Sequence, residues 1–405
     1  MFSLFNLYRD SFSSIQRNIW ILSISMFINR SGSMVLLFTS LYLTKDLHFS
    51  IPQAGLVLSF YGIGSVLGSY AGGWLTDRRN FFDIMVVSLI SSGLILLFLL
   101  IVESPVMIGL VIFLYALTAD MFRPANSKAI AAYSIPENRT RSLSLVRLAI
   151  NLGFSIGPAA GGFIALYLGY KWLFVIDACS GFAAAAMLFI YLPRPEKIKE
   201  EKNSDLMNQN SISAYKDLPY LFFILLVSFY GICFFQLFAS VPQYFATVCH
   251  YHEDTIGLLL GLNGLLVVLI EMPLVMFIEK KKQDGFRWII RGVLCVPFAF
   301  AFLLYGNCMM LMALIYTLII TMSEIFAMPF MMNYSLSRGG KERQGQYSAL
   351  YSIAYGLANI VAPVLGLGIA GRYGFDALFI FLIGFGLFTT LGFMWLRKRT
   401  NKITE

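Results

Sequence analysis

A small set of polar side chains stands inside long apolar runs of this chain, and those side chains carry whatever chemistry it has. They are Asn29 and Arg30, Asp120 and Arg123, Arg147 and Asn151, Asp177, Gln236, Asn263 and Glu271, and Glu324. A charged group at the centre of a bilayer costs about 2.5 kcal/mol or more, so each such residue needs a reason to be there. Asp120 and Arg123 are three residues apart, on one helical face, where they neutralise each other. A carboxyl group in a low-dielectric cavity is pulled toward its neutral form by desolvation and toward its charged form by a nearby arginine. That balance suits a group that gains and loses a proton. The plainer reading of each residue is a structural ion pair, or a side chain that snorkels to an interface. Arg147 and Asp177, close to the ends of their runs, fit the plainer reading better than Asp120 or Glu324. Glu271 is intermediate.

The elements that hold these residues must be membrane spans. The chain has 405 residues, 58% hydrophobic and only 13% charged, with a mean hydropathy of +0.73. A soluble domain carries about 25% charge, so lipid is the solvent here. The net charge of +8 would suit nucleic acid. However, the bases sit in short segments between apolar runs, as they do beside a membrane surface, and no nucleic-acid partner is expected. Apolar runs of roughly 20 residues cross a bilayer. Twelve occur, centred near residues 31, 64, 93, 119, 155, 182, 233, 267, 297, 322, 358 and 386. The one long polar stretch, Arg194–Lys216, falls at mid-chain. The expected organisation is therefore a six-helix half over 1–193, a linker over 194–217 and a second half over 218–405.

Lys and Arg collect in alternate loops, among them Arg78, Arg79, Arg139, Arg141, Lys280, Lys281 and Lys282, while the opposite loops hold only Lys45, Lys171 and Arg372. The positive-inside rule then puts both termini and the linker in the cytoplasm, most simply across a bacterial inner membrane. Met1–Gln16 lacks a basic n-region and a small-residue cleavage site, and reads as an interfacial segment rather than a removable signal. The five cysteines (Cys179, Cys233, Cys249, Cys295, Cys308) lie in or beside apolar runs without a CxxC, and read as packing residues rather than a disulfide frame or a metal site. His250 and His252, followed by Glu253 and Asp254, read as a solvated loop, since further metal ligands are not evident. No P-loop or HExxH signature is present, and neither a metal, a cofactor nor an enzymatic activity is expected.

The second half repeats the first. At an offset of 205, Pro124 falls on Pro329, Pro158 on Pro363, Gly161 on Gly366, Gly169 on Gly374 and Phe174 on Phe379; at 202, Gly55 falls on Gly257, Gly62 on Gly264 and Asp77-Arg78-Arg79 on Glu279-Lys280-Lys281. Long apolar helices in two repeated halves are a ground plan of membrane transporters, with the substrate site between the halves. Two motifs sharpen this. Gly73-Trp74-Leu75-Thr76-Asp77-Arg78-Arg79 follows the second run, and the fifth carries Gly153-Phe154-Ser155-Ile156-Gly157-Pro158-Ala159-Ala160-Gly161-Gly162. Flanking glycines let helices approach closely and the proline permits a bend, so plain packing is the simpler reading of the glycines, including the row Gly64, Gly68, Gly72. Asp77 at a helix end reads as a latch.

With these motifs the chain resembles the major facilitator superfamily over nearly its whole length, and within it the twelve-helix drug:proton antiporters. It departs from the loop pattern after Arg79, where Asn80-Phe81-Phe82 stand in place of glycine and bases. The resemblance implies an all-α membrane protein of twelve transmembrane helices in two pseudo-symmetric six-helix bundles. It also implies a cavity lined by the first, fourth, seventh and tenth helices. Arg30, Asp120 and Glu324 would face it, with Asn29, Arg123, Gln236, Asn263 and Glu271 nearby. Gly73, Asp77, Arg78, Arg147, Asn151, Gly153, Gly157, Pro158, Gly161 and Gly162 would serve gating. The expected function is proton-coupled export of amphipathic small molecules by a monomer, driven by the proton gradient. Phe234, Phe235, Phe238 and Tyr244 could line such a pocket or simply pack. The alternatives are proton-coupled uptake of a small polar nutrient such as a peptide, toward which Ser323-Glu324 and Arg30 point, and a transporter-like receptor that moves nothing.

Overall fold

The computed structural model describes residues 15–76, 78–135, 139–194, 213–280, 284–338 and 340–404. Most of the N-terminal segment, Asp77, Glu137 and nearly all of the linker lie outside the described residues, as do the side chains of Glu279–Lys281. Every regular element described is helical. That is what lipid demands, because a backbone group without a partner inside its own segment costs several kcal/mol there.

Twelve helical stretches are long and apolar enough to cross a membrane. In order they are Arg17–Asp46, Ile51–Thr76, Phe81–Leu100, Pro105–Tyr133, Ser142–Tyr167 and Lys171–Tyr191, then Leu218–Thr247, Glu253–Glu271, Gly285–Tyr305, Met310–Arg338, Gln346–Tyr373 and Phe375–Arg399. Most buried hydroxyls in these spans bond to their own helix. Ser23 donates to the Ile19 carbonyl at 2.8 Å, Thr39 to Val35 at 2.7 Å and Thr321 to Thr317 at 2.6 Å. Such residues are satisfied locally and offer nothing to a ligand.

The sequence repeat is a repeat of backbone detail. After the first span, the Leu47 and Phe49 amides return to the Tyr42 and Leu43 carbonyls at 3.2 and 2.8 Å; after the seventh, Cys249 and Tyr251 return to Tyr244 and Phe245 at the same two distances. His48 and His250 take the matching positive φ, 56° and 54°. Gly169 and Gly374, each opening the last span of its half, share φ of 92° and 87°, a conformation glycine adopts without penalty. Arg194 pairs with Asp83 in the first half, and Arg397 with Asp284 at 2.8 Å in the second. Capping divides differently. Asp284 both accepts the Phe286 amide and pairs with Arg397, whereas Asn80 caps through Phe82 and leaves the pairing to Asp83. These exposed pairs fix where helix ends meet rather than adding much stability.

By contacts the chain forms two compact units: Met1–Thr39, Phe60–Lys199 and His252–Leu265 in one, Ser40–Ser59, Glu200–Tyr251 and Leu266–Glu405 in the other. In the second unit, Asp217 ties the start of the seventh span to two other helices. Arg338 grips its carboxylate with two nitrogens at 2.6 and 2.9 Å, and the Tyr347 hydroxyl donates at 2.9 Å. Burial pushes this carboxyl up, but the bonds from Arg338 and Tyr347 outweigh it and hold it below the usual carboxylate range.

The cysteine expectation needs correction at one pair. Cys249 and Cys308 form a disulfide joining the loop after the seventh span to the loop after the ninth, and Tyr251 donates to the Cys308 carbonyl at 2.7 Å. A partner 59 residues away, beyond two helices, leaves no local motif, so spacing could not reveal it. Cys179, Cys233 and Cys295 are free.

Alkylation of the denatured, unreduced protein should therefore label three thiols, and five after reduction; five labelled before reduction would remove the bond. Asp217→Asn should cost about 1–3 kcal/mol at neutral pH, as for a hydrogen bond to a charged group. Because the folded carboxyl lies below its unfolded value, its contribution is complete above roughly pH 4 and fades as the pH falls further. Thermal unfolding across pH should show the two proteins converging in acid.

Candidate functional site

The first span breaks in the middle without a proline. Helix Arg17–Gly32 ends, Ser33 turns out of helical geometry with ψ of 65°, and a second helix starts at Val35. Ser31-Gly32-Ser33 supplies the reason, since glycine and serine together are a common site of helix kinks. Close packing holds the break. A Cβ on Gly32 would lie 1.9 Å from the Ser180 hydroxyl of the sixth span. From the fifth span, a Cβ on Gly153 would lie 2.6 Å from the Arg30 side chain, one on Gly157 3.1 and 3.2 Å from the Ser31 and Arg30 carbonyls, and one on Gly161 2.9 Å from the Met34 side chain.

The fifth span uses a second face against the eighth. A Cβ on Gly162 would lie 2.3 Å from the Glu253 carbonyl, one on Gly257 2.3 Å from that of Pro158, and one on Gly261 2.8 Å from that of Ser155. Tyr170 donates to Glu253 at 2.6 Å and Ser155 to the Gly261 carbonyl at 3.0 Å. The motif is thus a double-sided packing surface, and the helix runs unbroken through Pro158. The row Gly64, Gly68, Gly72 does similar work against the fourth span, with Cβ positions 2.2–2.6 Å from its backbone oxygens.

Around the break lies a cluster of charge within one unit. The fourth span is interrupted at Met121, where Pro124 has no amide to return to the Asp120 carbonyl. Asp120, 3% exposed, accepts from Arg123 Nε at 2.7 Å and from the Ser65 hydroxyl. Asp177, 5% exposed, lies beside the break, where a Cβ on Gly32 would come within 3.5 Å of its Cα, and the Tyr115 hydroxyl stands 3.5 Å from its carboxylate. Arg30 places its guanidinium 5.4 Å from the Phe154 ring, and its Nε is buried without a hydrogen-bond partner. Two arginines and two carboxylates balance to zero when all are charged. Asn29, Arg30, Tyr61, Tyr115, Asp120 and Asp177 border a cavity of about 30 Å³. It has room for a water or two, against the 300–1,000 Å³ of a drug-sized pocket. The cluster can hold a proton; it cannot enclose a drug-sized molecule.

Other expected site residues lie elsewhere. Gln236 is fully buried and committed: it donates to the Ile232 and Ala362 carbonyls at 3.2 and 2.9 Å and accepts from Ser240 at 2.6 Å. Asn263 and Glu271 are buried. Glu324 is half-buried in the tenth span beside Ser323, which donates to the Gly292 carbonyl at 2.6 Å. Arg147 is exposed and Asn151 half-buried. Arg78 lies 3.9 Å over the Trp74 ring of its own helix, and Gly73 has open space around it. Phe234 and Tyr244 are buried among other rings. In the sequence Ser65, Tyr61 and Tyr115 look like any other residues of an apolar run, and Asp177, near a span end, fits a structural ion pair better than a cavity site.

The glycine contacts give a graded expectation. Gly257→Ala forces a methyl into a backbone oxygen and should destabilise by about 1–3 kcal/mol. Gly157→Leu should obstruct helix approach and slow turnover more than it weakens binding. Gly73→Ala should be neutral or stabilising by about 0.5–1 kcal/mol. Thermal unfolding and flux of the three variants check the order; equal behaviour of Gly257→Ala and Gly73→Ala would contradict it.

Comparison with known proteins agrees with this architecture. The chain is 25% identical over 381 residues to an uncharacterized MFS-type transporter of Bacillus subtilis (strain 168), YttB, covering 91% of this chain and 92% of that one. It is 24% identical to the Na(+), Li(+), K(+)/H(+) antiporter of Planococcus maritimus, covering 93% and 95%, and 22% identical to Multidrug resistance protein 1 of B. subtilis, covering 85% and 88%. Among solved structures, a peptide transporter POT superposes with a TM-score of 0.77 at 15% identity, covering 97% of this chain and 98% of that one, which shows a shared fold. The model of the Major Facilitator Superfamily matches residues 22–363, and the chain is a member of that family of membrane transporters.

Proposed function

We propose that this protein is a proton-coupled exporter of amphipathic small molecules, working by alternating access with the proton gradient as its energy source. The observation that carries the reading is the charge cluster at the break of the first span. Two carboxyl groups, Asp120 and Asp177, stay buried at a cavity too small for a substrate, with Arg30 and Arg123 beside them, which suits a proton site next to a separate substrate path. Relatives described as multidrug resistance proteins and as a cation/proton antiporter support the same reading. Both termini lie in the cytoplasm of a bacterial inner membrane. The one-sided distribution of Lys and Arg supports this, and the Cys249–Cys308 disulfide supports it independently, since it falls in two loops assigned to the oxidising outer face.

In proteoliposomes with an acidic interior, a lipophilic fluorescent substrate added outside should accumulate against its gradient while protons leave. The sense of the coupling does not depend on how the protein is oriented in the vesicle. Accumulation driven instead by an acidic exterior would establish symport, the nutrient-uptake alternative, and accumulation indifferent to the pH gradient would end the proton-coupled reading.

A further inference from the structure

We propose that the start of the ninth span holds a binding site for an anionic phospholipid, whose phosphate Arg287 and Arg291 share at headgroup depth. The site is independent of what the protein transports and of how transport is driven.

The internal repeat brings it to light. The third and ninth spans begin alike, each capped by a side chain that accepts the amide two residues on, Asn80 from Phe82 and Asp284 from Phe286. The caps are 204 residues apart, and at that offset Val87 falls on Arg291, Leu94 on Phe298 and Ile101 on Tyr305. Residues seven apart, two turns on, share one face of a helix. All six are exposed. Other faces of the ninth span are taken by protein. A Cβ on its Gly292 would lie 2.7 Å from the Ala327 amide nitrogen of the tenth span, and a Cβ on Gly386 of the twelfth would lie 3.0 Å from its Pro297 ring. The exposed face is the one left to lipid. The third span keeps it apolar at all three positions, and the ninth places an arginine there.

Arg291 stands six residues past Gly285, the first of its helix, or about 9 Å along the axis. A charge facing hydrocarbon is costly unless it finds a partner or reaches the interface. Arg291 reaches back. Its guanidinium lies 4.7 Å from the centre of the Trp288 ring, nearer the start of the helix, at the level where tryptophan meets the headgroups. It has no hydrogen bond or ion pair among the described residues.

One turn nearer the helix start, Arg287 is exposed and shares its carboxylate: Asp284 lies 3.7 Å from Arg287 and 2.8 Å from Arg397 of the twelfth span. Three cations here meet one anion. Arg287 and Arg291, four apart, are neighbours of like charge that repel each other. A phosphate between them removes that repulsion and gives acceptor oxygens to both guanidinium forks. A net negative headgroup suits this excess of positive charge better than a zwitterionic one, which brings its own cation. The acyl chains follow the apolar remainder of the same face, along Phe298 toward Tyr305.

Native mass spectrometry of the full-length protein in detergent, titrated with phosphatidylglycerol or with phosphatidylcholine of the same acyl chains, tests this. The wild type should bind its first phosphatidylglycerol more tightly than phosphatidylcholine. An arginine near the surface contributes about fivefold to such binding, so Arg291→Val, which installs the third-span residue, should weaken it about fivefold, and Arg287→Gln with Arg291→Val about 25-fold. Arg291→Lys keeps the charge without the fork and should fall between the wild type and Arg291→Val; it also serves if Arg291→Val does not fold. Lys398→Gln with Arg399→Gln removes equal charge from the twelfth span and should keep most of the wild-type affinity. Inorganic phosphate in large excess should leave the lipid bound. Equal affinity of the wild type for the two lipids overturns the proposal. An equal loss in the two double variants also overturns it, as attraction to diffuse charge, and displacement by inorganic phosphate does so as a site for a free anion.

Discussion

In lipid, an interrupted helix is a debt that the rest of the protein must settle, because water cannot take the freed amides and carbonyls. The break at Ser31-Gly32-Ser33 is where this constraint bears hardest. The Arg30 and Ser31 carbonyls face the fifth span, which approaches closely because Gly153 and Gly157 have no side chains to hold it off. On the other side, Gly32 lets the sixth span come near enough to set Asp177 beside the break. Glycines on two helices thus serve one discontinuity. The charge cluster goes with it: the carboxylates Asp120 and Asp177 are buried there, and cations stand beside them, Arg30 half-buried and Arg123 reaching Asp120 from an exposed position.

The same logic explains the two faces of the fifth span. One row of small residues, at Gly153, Gly157 and Gly161, admits the first span; a second, at Ser155, Ala159 and Gly162, admits the eighth. Apolar attraction cannot drive helices together in a medium as apolar as they are. Close backbone contact, with its sum of dispersion and dipole terms, takes over that work. The bond from Ser155 to Gly261 and the bond from Tyr170 to Glu253 add direction to an otherwise smooth contact. A motif that resembles a functional signature is here, first of all, the geometry that lets three helices share a narrow space.

The repeat shows which features follow from ancestry of the fold and which are particular to one half. The His48 and His250 turns, the Gly169 and Gly374 turns and the Asp83–Arg194 and Asp284–Arg397 pairs recur almost residue for residue. The chemistry does not recur. At the position where the first span breaks beside Arg30, the seventh span passes through a short 3-10 turn, Phe235–Leu237, stabilised by Gln236 and Ser240. The second half has the Asp217–Arg338–Tyr347 network, and the disulfide belongs to it alone among the described residues. Two copies of one scaffold have been given different polar interiors.

Composition, the twelve apolar runs and the internal repeat were enough to specify a helical membrane protein of two related halves, because hydropathy and length alone decide whether a segment crosses lipid. The Asp120–Arg123 pair was legible too, since residues three apart on a helix must meet. What the sequence could not decide was any contact between spans. Gln236 reads as a cavity residue until Ala362, 126 positions away, is seen to take its amide; Cys249 reads as a packing residue until Cys308 is seen to reach it. Asp177 reads as a span-end charge until the break in the first span is placed against it. Each of these depends on the rotation and depth of two helices about their own axes, which packing of glycine rows fixes and local sequence does not. The fold was therefore written along the chain, and the site was written only across it.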